Sequence, residues 1–417
     1  MRAGPPEHTA GLPSVGRFDH LADMAILHQS PTDPEFVQNP YPFYARALTQ
    51  GPVHHWADYG MAAVFSHDAV QALLRDRRFG REIPPECAPR IPARLAPFYA
   101  VEAHSMLELE PPRHTRLRRL VLQAFTSRRI AALEPGIAQL CHDLLDRAPD
   151  GPFDLIAHYA SRVPVIVIAR LLGVPESMAD QLLDWSNAMV AMYQARRTRA
   201  IEDAAVRATE DFTAFMRGYV EERRATPADD LITQLIAAEE AGDRLSTDEL
   251  ITTCILLLNA GHEATVHSIG NGVKCLLEIA PGAAALAPGA IDGTVEEILR
   301  FDPPLHVFTR YAYEDVTLFG HDFRRGAQVA LMLAAANRDP AAWDAPQVFR
   351  PDRPIRTNAS FGGGIHFCVG APLARLELRI ALGILFDRLP GLRLCAAPRF
   401  ADLYHFHGLR DLMVRAP

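Results

Sequence analysis

From Ser246 to Ala280 the chain shows helical periodicity that no proline interrupts before Pro281. Ser246 and Glu249 have the spacing of a capping box, and Leu245 and Leu250 that of a hydrophobic staple. At about 1.5 Å per residue such a helix is on the order of 50 Å long, enough to cross a whole domain. It is therefore expected at the centre of the molecule, with the remaining elements packed around it. Its middle, Asn259-Ala260-Gly261-His262-Glu263-Ala264-Thr265, sets small and polar residues in an apolar run. Local propensity would favour Leu or Ala there, so something bulky is expected against Ala260 and Gly261.

The rest of the chain reads as mostly α. Helical periodicity with caps and Pro or Gly stops dominates from Leu117 to Leu385. Strand-like pieces are short (Val53 to Trp56, Ala62 to Phe65, Val316 to Leu318, Ala327 to Leu331, Leu412 to Arg415) and predict small peripheral sheets. A length of 417 residues would allow two or three domains. No repeat, low-complexity tract or Gly/Ser linker divides it, so one unit is expected over 34–417, after a mobile segment 1–33. The 42 basic residues against 50 acidic ones give a net charge of -8, which argues against wholesale binding of nucleic acid or anionic membrane. No apolar run reaches the roughly 18 residues of a membrane span, and the start, with Glu7 and His8, lacks a secretory signal. A cytoplasmic location is expected. Six cysteines without a CxxC pair suit neither a disulfide scaffold nor a structural zinc site.

The most informative stretch for chemistry is Phe361-Gly362-Gly363-Gly364-Ile365-His366-Phe367-Cys368-Val369-Gly370, followed by a helical run from Ala371. Glycines let backbone amides approach the sulfur, and those amides with the helix N-terminus stabilise a thiolate. A thiolate is a metal ligand or a nucleophile. The nucleophile reading wants an oriented base, and His366 has nothing obvious to orient it; a buried structural cysteine is the third reading.

The stretch resembles the haem-binding loop of the cytochrome P450 family at every fixed position of Phe-Gly-x-Gly-x-His-x-Cys-x-Gly. The resemblance runs from Asn39-Pro40-Tyr41-Pro42 to Gly408-Leu409-Arg410, with the family's motifs in order. It implies the family's fold, mainly α with small β-sheets and a long central helix crossing the haem. It also implies haem b held by Cys368, with Phe361, Gly362, Gly370 and Ala260 beside it. His114, Arg118, Arg310 and His366 would bind the propionates. His114 and Arg118 are spaced i,i+4 and share a helix face. Glu297 and Arg300, an i,i+3 pair, match with Arg353 the family's buried structural triad.

The middle of the long helix resembles the family's oxygen-binding groove, Ala-Gly-x-(Asp/Glu)-Thr-Thr. Ala260, Gly261 and Glu263 fit, but Ala264 stands where an alcohol is expected. Acid and alcohol together deliver protons in that arrangement, so Thr265, a water chain from Glu263 or a hydroxyl on the substrate must take the alcohol's part. By resemblance the substrate pocket is lined by Met106, Leu107, Met189, Met192, Leu256, Asn259, Val307, Phe308 and Phe406, largely apolar with Asn259 as a polar anchor. For the methionines plain core packing is an equal reading.

The implied activity is insertion of one oxygen atom from O2 into a small, mostly apolar organic molecule. No GxGxxG turn is present, the glycines of Ile269-Gly270-Asn271-Gly272 lying within a helix. NAD(P)H electrons must then come through separate proteins, a ferredoxin and its reductase. Six arginines and no acid between Pro111 and Leu133 read either as a solvated basic face or as a docking site for an acidic ferredoxin at Arg113, Arg116 and Arg119, the second being favoured. The other readings are a haem-thiolate enzyme that uses peroxide or inserts no oxygen, and a haem-binding sensor without activity.

Overall fold

A computed structural model of the chain describes residues 24–240, 245–279 and 283–416. The helices that frame the site are α1 (Arg113–Ala124), α2 (Arg162–Leu172), α3 (Ala179–Val190), α4 (Thr247–Ile279), α5 (Ile291–Phe301) and α6 (Ala371–Arg388). The long helix α4 begins as the sequence predicts. Ser246 N donates to Glu249 Oε2 at 2.9 Å and Glu249 N to Ser246 Oγ at 3.2 Å, closing the capping box, with Leu245 and Leu250 buried. Its far end at Ile279 agrees, Ala280 lying outside the described residues. Ile251, Cys254, Ile255, Leu258, Ile269 and Val273 sit in the main apolar core, where α2, α3, α5, α6 and the helix Arg199–Ala225 pack on α4.

The bulky neighbour expected at the middle of α4 is Ile168 of α2. A Cβ on Gly261 would lie 3.0 Å from Ile168 Cγ1, so glycine is what lets the two helices approach. Ala260 is different: it is exposed, on a face where Leu256 and Ala264 are only half-buried.

The main sheet has strands β1 (Ile26–Leu27), β2 (Val53–Trp56), β3 (Met61–Val64), β4 (Phe79–Gly80), β5 (Val307–Ala312) and β6 (Gln328–Met332), in the order β1-β2-β3-β6-β5-β4. Three small sheets pair Met413–Arg415 with Pro152–Asp154 on one side and Arg393–Leu394 on the other, Arg399–Phe400 with Leu409–Asp411, and Val316–Leu318 with His321–Phe323. The anticipated strands are present within a residue at most starts and ends, but β5 was not anticipated. Its alternation is masked because Arg310, a charged residue, is buried at 2% exposure beside apolar neighbours.

The expectation of a mobile start reaching Asp33 needs correcting. Residues 1–23 lie outside those described, but Met24 and Leu27 are buried and β1 pairs in parallel with His55 and Trp56 of β2. The edge of β2 offers backbone groups that the segment satisfies, and the Trp56 indole donates to Gln29 O at 2.7 Å.

Candidate active site

The cysteine loop joins Ser360 to α6 through two residues in the left-handed region, Gly362 (φ 67°) and Gly364 (φ 66°). At Gly364 a Cβ would come within 2.3 Å of Leu74 O, so no other residue fits. Cys368 N donates to Phe361 O at 3.0 Å, closing the loop below the start of α6. The Cys368 side is solvent-reachable. Its thiol nevertheless sits among enough protein atoms that burial raises its pKa, against the backbone N–H groups of Gly370 and Ala371 and the charges of Arg118 and Arg375. A bound cation would complete what these donors begin, since thiolate ligands bind with loss of the proton.

Around this thiol the structure gathers four of the expected cations. On α1, His114 is buried and its ring lies 4.4 Å from that of His366, while Arg118 donates to Phe367 O at 2.6 Å. Arg310 on β5 donates to Thr309 O at 2.9 Å, and no carboxylate pairs with it among the described residues. Burial, with the charge of Arg81, lowers the Arg310 pKa to about 10, and burial, with His366 and Arg118, lowers that of His114 to about 4. His114 Nδ1 is buried without a partner. A buried Arg310 that no carboxylate pairs among the described residues, with an orphaned ring nitrogen on His114 beside it, calls for an anion. A thiol with converging amides, beside Arg118 and Arg310 that no carboxylate pairs among the described residues and an orphaned nitrogen on His114, is the donor set that haem, with its iron and two propionates, requires.

Glu110 is the residue that sequence reasoning missed here. It accepts from Arg81 N at 2.7 Å and meets His366 Nε2 at 2.9 Å. Burial alone would raise Glu110, but the His366 hydrogen bond and the Arg81 amide hold it below the usual carboxylate range. Its signal was present, a carboxylate immediately before Pro111-Pro112, whereas Arg81 comes from a distant loop and left none.

The expected triad is formed. Glu297 accepts from Arg300 through both oxygens at 2.7 Å and from Arg353 Nε at 3.2 Å. The Arg300 fork also reaches Asn337 O and Pro346 O, and Arg353 reaches Asp344 O, so the network ties α5 to the segment before the cysteine loop.

In the groove, Glu263 is clamped by two histidines of its own helix. His267 Nε2 lies 3.3 Å from Oε1 and His262 Nε2 3.5 Å from Oε2. Burial would raise its pKa, yet these partners pull it far below the carboxylate range. Thr265 is buried, and Ser268 Oγ donates to Ala264 O at 2.8 Å. The bracket was legible in principle, because His267 is four residues from Glu263.

Among the pocket residues, Met189 and Met192 are buried in the main core and Met106 packs against it. Asn259 Nδ2 contacts Met189 Sδ at 3.7 Å, and its Oδ1 is buried without a partner. Leu256 and Phe406 are half-buried, and the Phe406 ring lies 6.2 Å from that of His267. Leu107 is exposed at 39%. One assignment changes, that of Phe308. Phe308 alternates to the opposite face from buried Val307 and supports the cysteine loop, its ring lying 2.9 Å from where a Gly362 Cβ would be. Arg116 is also corrected as a docking residue, because its guanidinium pairs with the capping-box carboxylate of Glu249.

The cytochrome P450 family model matches residues 53–279 and 291–389. The chain belongs to the cytochrome P450 family. It is 35% identical over 414 residues to the cytochrome P450 monooxygenase PikC of Streptomyces venezuelae, covering 95% of this chain and 94% of that one. It is 39% identical over 370 residues to the vitamin D(3) 25-hydroxylase of Pseudonocardia autotrophica, covering 86% and 88%. Among solved structures, P450BioI in complex with an acyl carrier protein bearing hexadec-9Z-enoic acid superposes with a TM-score of 0.86 at 33% identity, covering 92% of this chain and 100% of that one. This cytochrome P450 is thus a haem-thiolate monooxygenase, using haem b, O2 and electrons that start from NAD(P)H and arrive through redox partners. No described helix is long and apolar enough to cross a membrane.

Proposed function

We propose that Cys368 would hold the haem iron through its thiolate and that His114, Arg118, Arg310 and His366 would hold the propionates, with Phe361, Gly362, Gly370 and Ala260 shaping the space between. The observation that carries this is the amide-lined thiol of Cys368 beside Arg118 and Arg310, which no carboxylate pairs among the described residues, and the orphaned nitrogen of His114. When bound, haem supplies the activation of O2, and the chain supplies orientation and protons. Gly261 keeps α4 close to α2, Glu263 hands on protons, and Thr265 is the alcohol remaining on the same helix turn. The reaction takes place in the cytoplasm.

The substrate in this reading is a mostly apolar organic molecule carrying a polar group. Buried Met189 and Met192, with Leu256, Val307 and Phe406, offer apolar surface, and the orphaned Asn259 Oδ1 asks for a donor. Relatives named for vitamin D(3), for mycinamicin IV and, in a solved complex, for testosterone act on or bind molecules of this kind. A hydroxyl on the substrate would also stand in for the alcohol missing at Ala264. With a surrogate ferredoxin and reductase, Ala264→Thr is expected to raise the share of NADH electrons appearing in product and to lower hydrogen peroxide release. Unchanged coupling and peroxide would remove the basis for a substrate-supplied hydroxyl.

An acidic ferredoxin would dock on the exposed outer face of α1, at Arg113 and Arg119. Arg113→Glu and Arg119→Glu are each expected to cost about 1 kcal/mol, or about a fivefold rise in KM for the ferredoxin, with a shallower salt dependence. Steady-state kinetics at two ionic strengths would check this, and an unchanged KM would move the docking face elsewhere.

A further inference from the structure

Away from the cysteine loop, three side chains able to hold a metal come together: Asp302, His306 and His407, with one donor atom of each within 4.8 Å of the other two. Asp302 follows α5, His306 precedes β5 and His407 lies in the C-terminal hairpin, and all three are at most 4% exposed. The fold sets their positions. Asn271 on α4 donates to Asp302 O at 3.2 Å and to His407 O at 2.9 Å, and the Phe400 ring stacks on that of His407 with centroids 3.7 Å apart. Each imidazole has one nitrogen engaged outside the group. His407 Nε2 lies 3.2 Å from Val37 O, and a carbonyl only accepts, so Nε2 carries a proton. In a neutral ring the Nδ1 lone pair then faces Asp302 Oδ1, 3.2 Å away, and an ionised carboxylate has nothing to donate. His306 Nδ1 lies 2.8 Å from Tyr44 Oη, itself 2.6 Å from Tyr404 Oη, and His306 Nε2 is buried without a partner. Tyr41 Oη donates to Asp302 Oδ1 at 2.6 Å. Imidazoles with one nitrogen bound to an outer oxygen, beside a hydrogen-bonded carboxylate, are the pattern of metal ligands oriented by their surroundings. Among the described residues Asp302 pairs with no lysine or arginine. Lys274 is bound to Glu278 at 2.7 Å, and Arg338 spends its donors on Phe301 O and Gln347 Oε1.

We propose that Asp302, His306 and His407 form a structural site for one zinc ion, bound by His306 Nε2, His407 Nδ1 and the Asp302 carboxylate. Imidazole nitrogen and carboxylate oxygen suit a redox-inert divalent ion of this kind. Donors about 2.0–2.2 Å from a tetrahedral zinc stand about 3.3 Å apart, and His407 Nδ1 and Asp302 Oδ1 are 3.2 Å apart. A proton on His407 would satisfy that contact alone, whereas a zinc ion also takes up the free lone pair of His306. The ion would fasten the segment that follows the Glu297–Arg300 pair to the hairpin that carries Phe406. Because the three side chains are buried, it enters as the chain folds and leaves when the chain opens.

The test uses the holoenzyme, purified from zinc-supplemented cells and desalted in the presence of EDTA to strip ions held at the surface. Elemental analysis is expected to find about one zinc per haem iron, and X-ray absorption at the zinc edge to show two imidazoles with oxygen donors and no sulfur. His306→Gln keeps a polar partner for Tyr44 and is expected to lower the zinc content about tenfold or more at unchanged haem content. The unfolding midpoint of the wild type, unlike that of the variant, is expected to be higher with zinc than with EDTA present during unfolding. Wild type free of zinc would overturn the proposal and make His407 the protonated partner of Asp302. Zinc retained in full by His306→Gln would overturn it as well. Should that variant not fold, the wild-type zinc content and edge spectrum decide, and a sulfur donor in the spectrum would move the ion to a cysteine and overturn the site.

Discussion

The dithionite-reduced, carbon monoxide-treated protein is expected to show a strongly red-shifted Soret band, and Cys368→Ser to lose it and turnover with it. The loop argues for this in two ways. Its amides already converge on the sulfur, and its two left-handed glycines fix the backbone whatever residue occupies position 368. Serine therefore keeps the loop but offers a hydroxyl of far higher pKa, which does not become an anion beside Arg118 and Arg375. Loss of a partner behind a metal ligand commonly costs about 10–100-fold in affinity or activity, so loss of the ligand itself is expected to exceed about 100-fold. Spectra of both proteins with haem content measured separately would check it. A red-shifted band surviving in Cys368→Ser would show that the iron is held by some other residue.

The parts of this molecule legible in the sequence are those fixed by local chemistry. Ser246 and Glu249 start α4 through hydrogen bonds three residues apart, and the glycines at 362 and 364 are demanded by their own backbone angles. Glu297 and Arg300 face each other because they are one turn apart on α5. What the sequence hid depends on pairings between distant segments. β5 carries a buried arginine and so lacks a strand's alternation, and β1 exists because the edge of β2 accepts it. Arg116 looked like part of a basic docking face, but the oxygens of Glu249 lie 133 residues away in sequence. Likewise His267 announces nothing until Gly408, from the C-terminal hairpin, makes room for its ring.

The largest effect on folding is expected at Glu297. Arg300 and Glu297 are 1% and 2% exposed and Arg353 is 8% exposed, so two guanidinium groups share one carboxylate out of water. Glu297→Ala removes the only formal negative charge that the hydrogen bonds of this network provide among the described residues and leaves both cations buried. Breaking a buried pair in this way costs about 3–5 kcal/mol, a large part of the total stability of an ordinary domain. The carbonyls of Asn337, Pro346 and Val348 still accept from Arg300, but neutral acceptors do not replace a carboxylate. Glu297→Gln keeps the size and one acceptor and is expected to fall between wild type and Ala. Glu297 also accepts from Arg350 N at 2.7 Å, so its loss frees the backbone leading toward the cysteine loop. Haem retention should therefore fall together with the denaturation midpoint. Chemical denaturation followed by both tryptophan fluorescence and Soret absorbance separates the two effects. A Glu297→Ala protein that kept its full stability would mean that the guanidinium groups reach solvent, and one that lost stability yet retained haem would mean that the triad holds the fold without holding the loop.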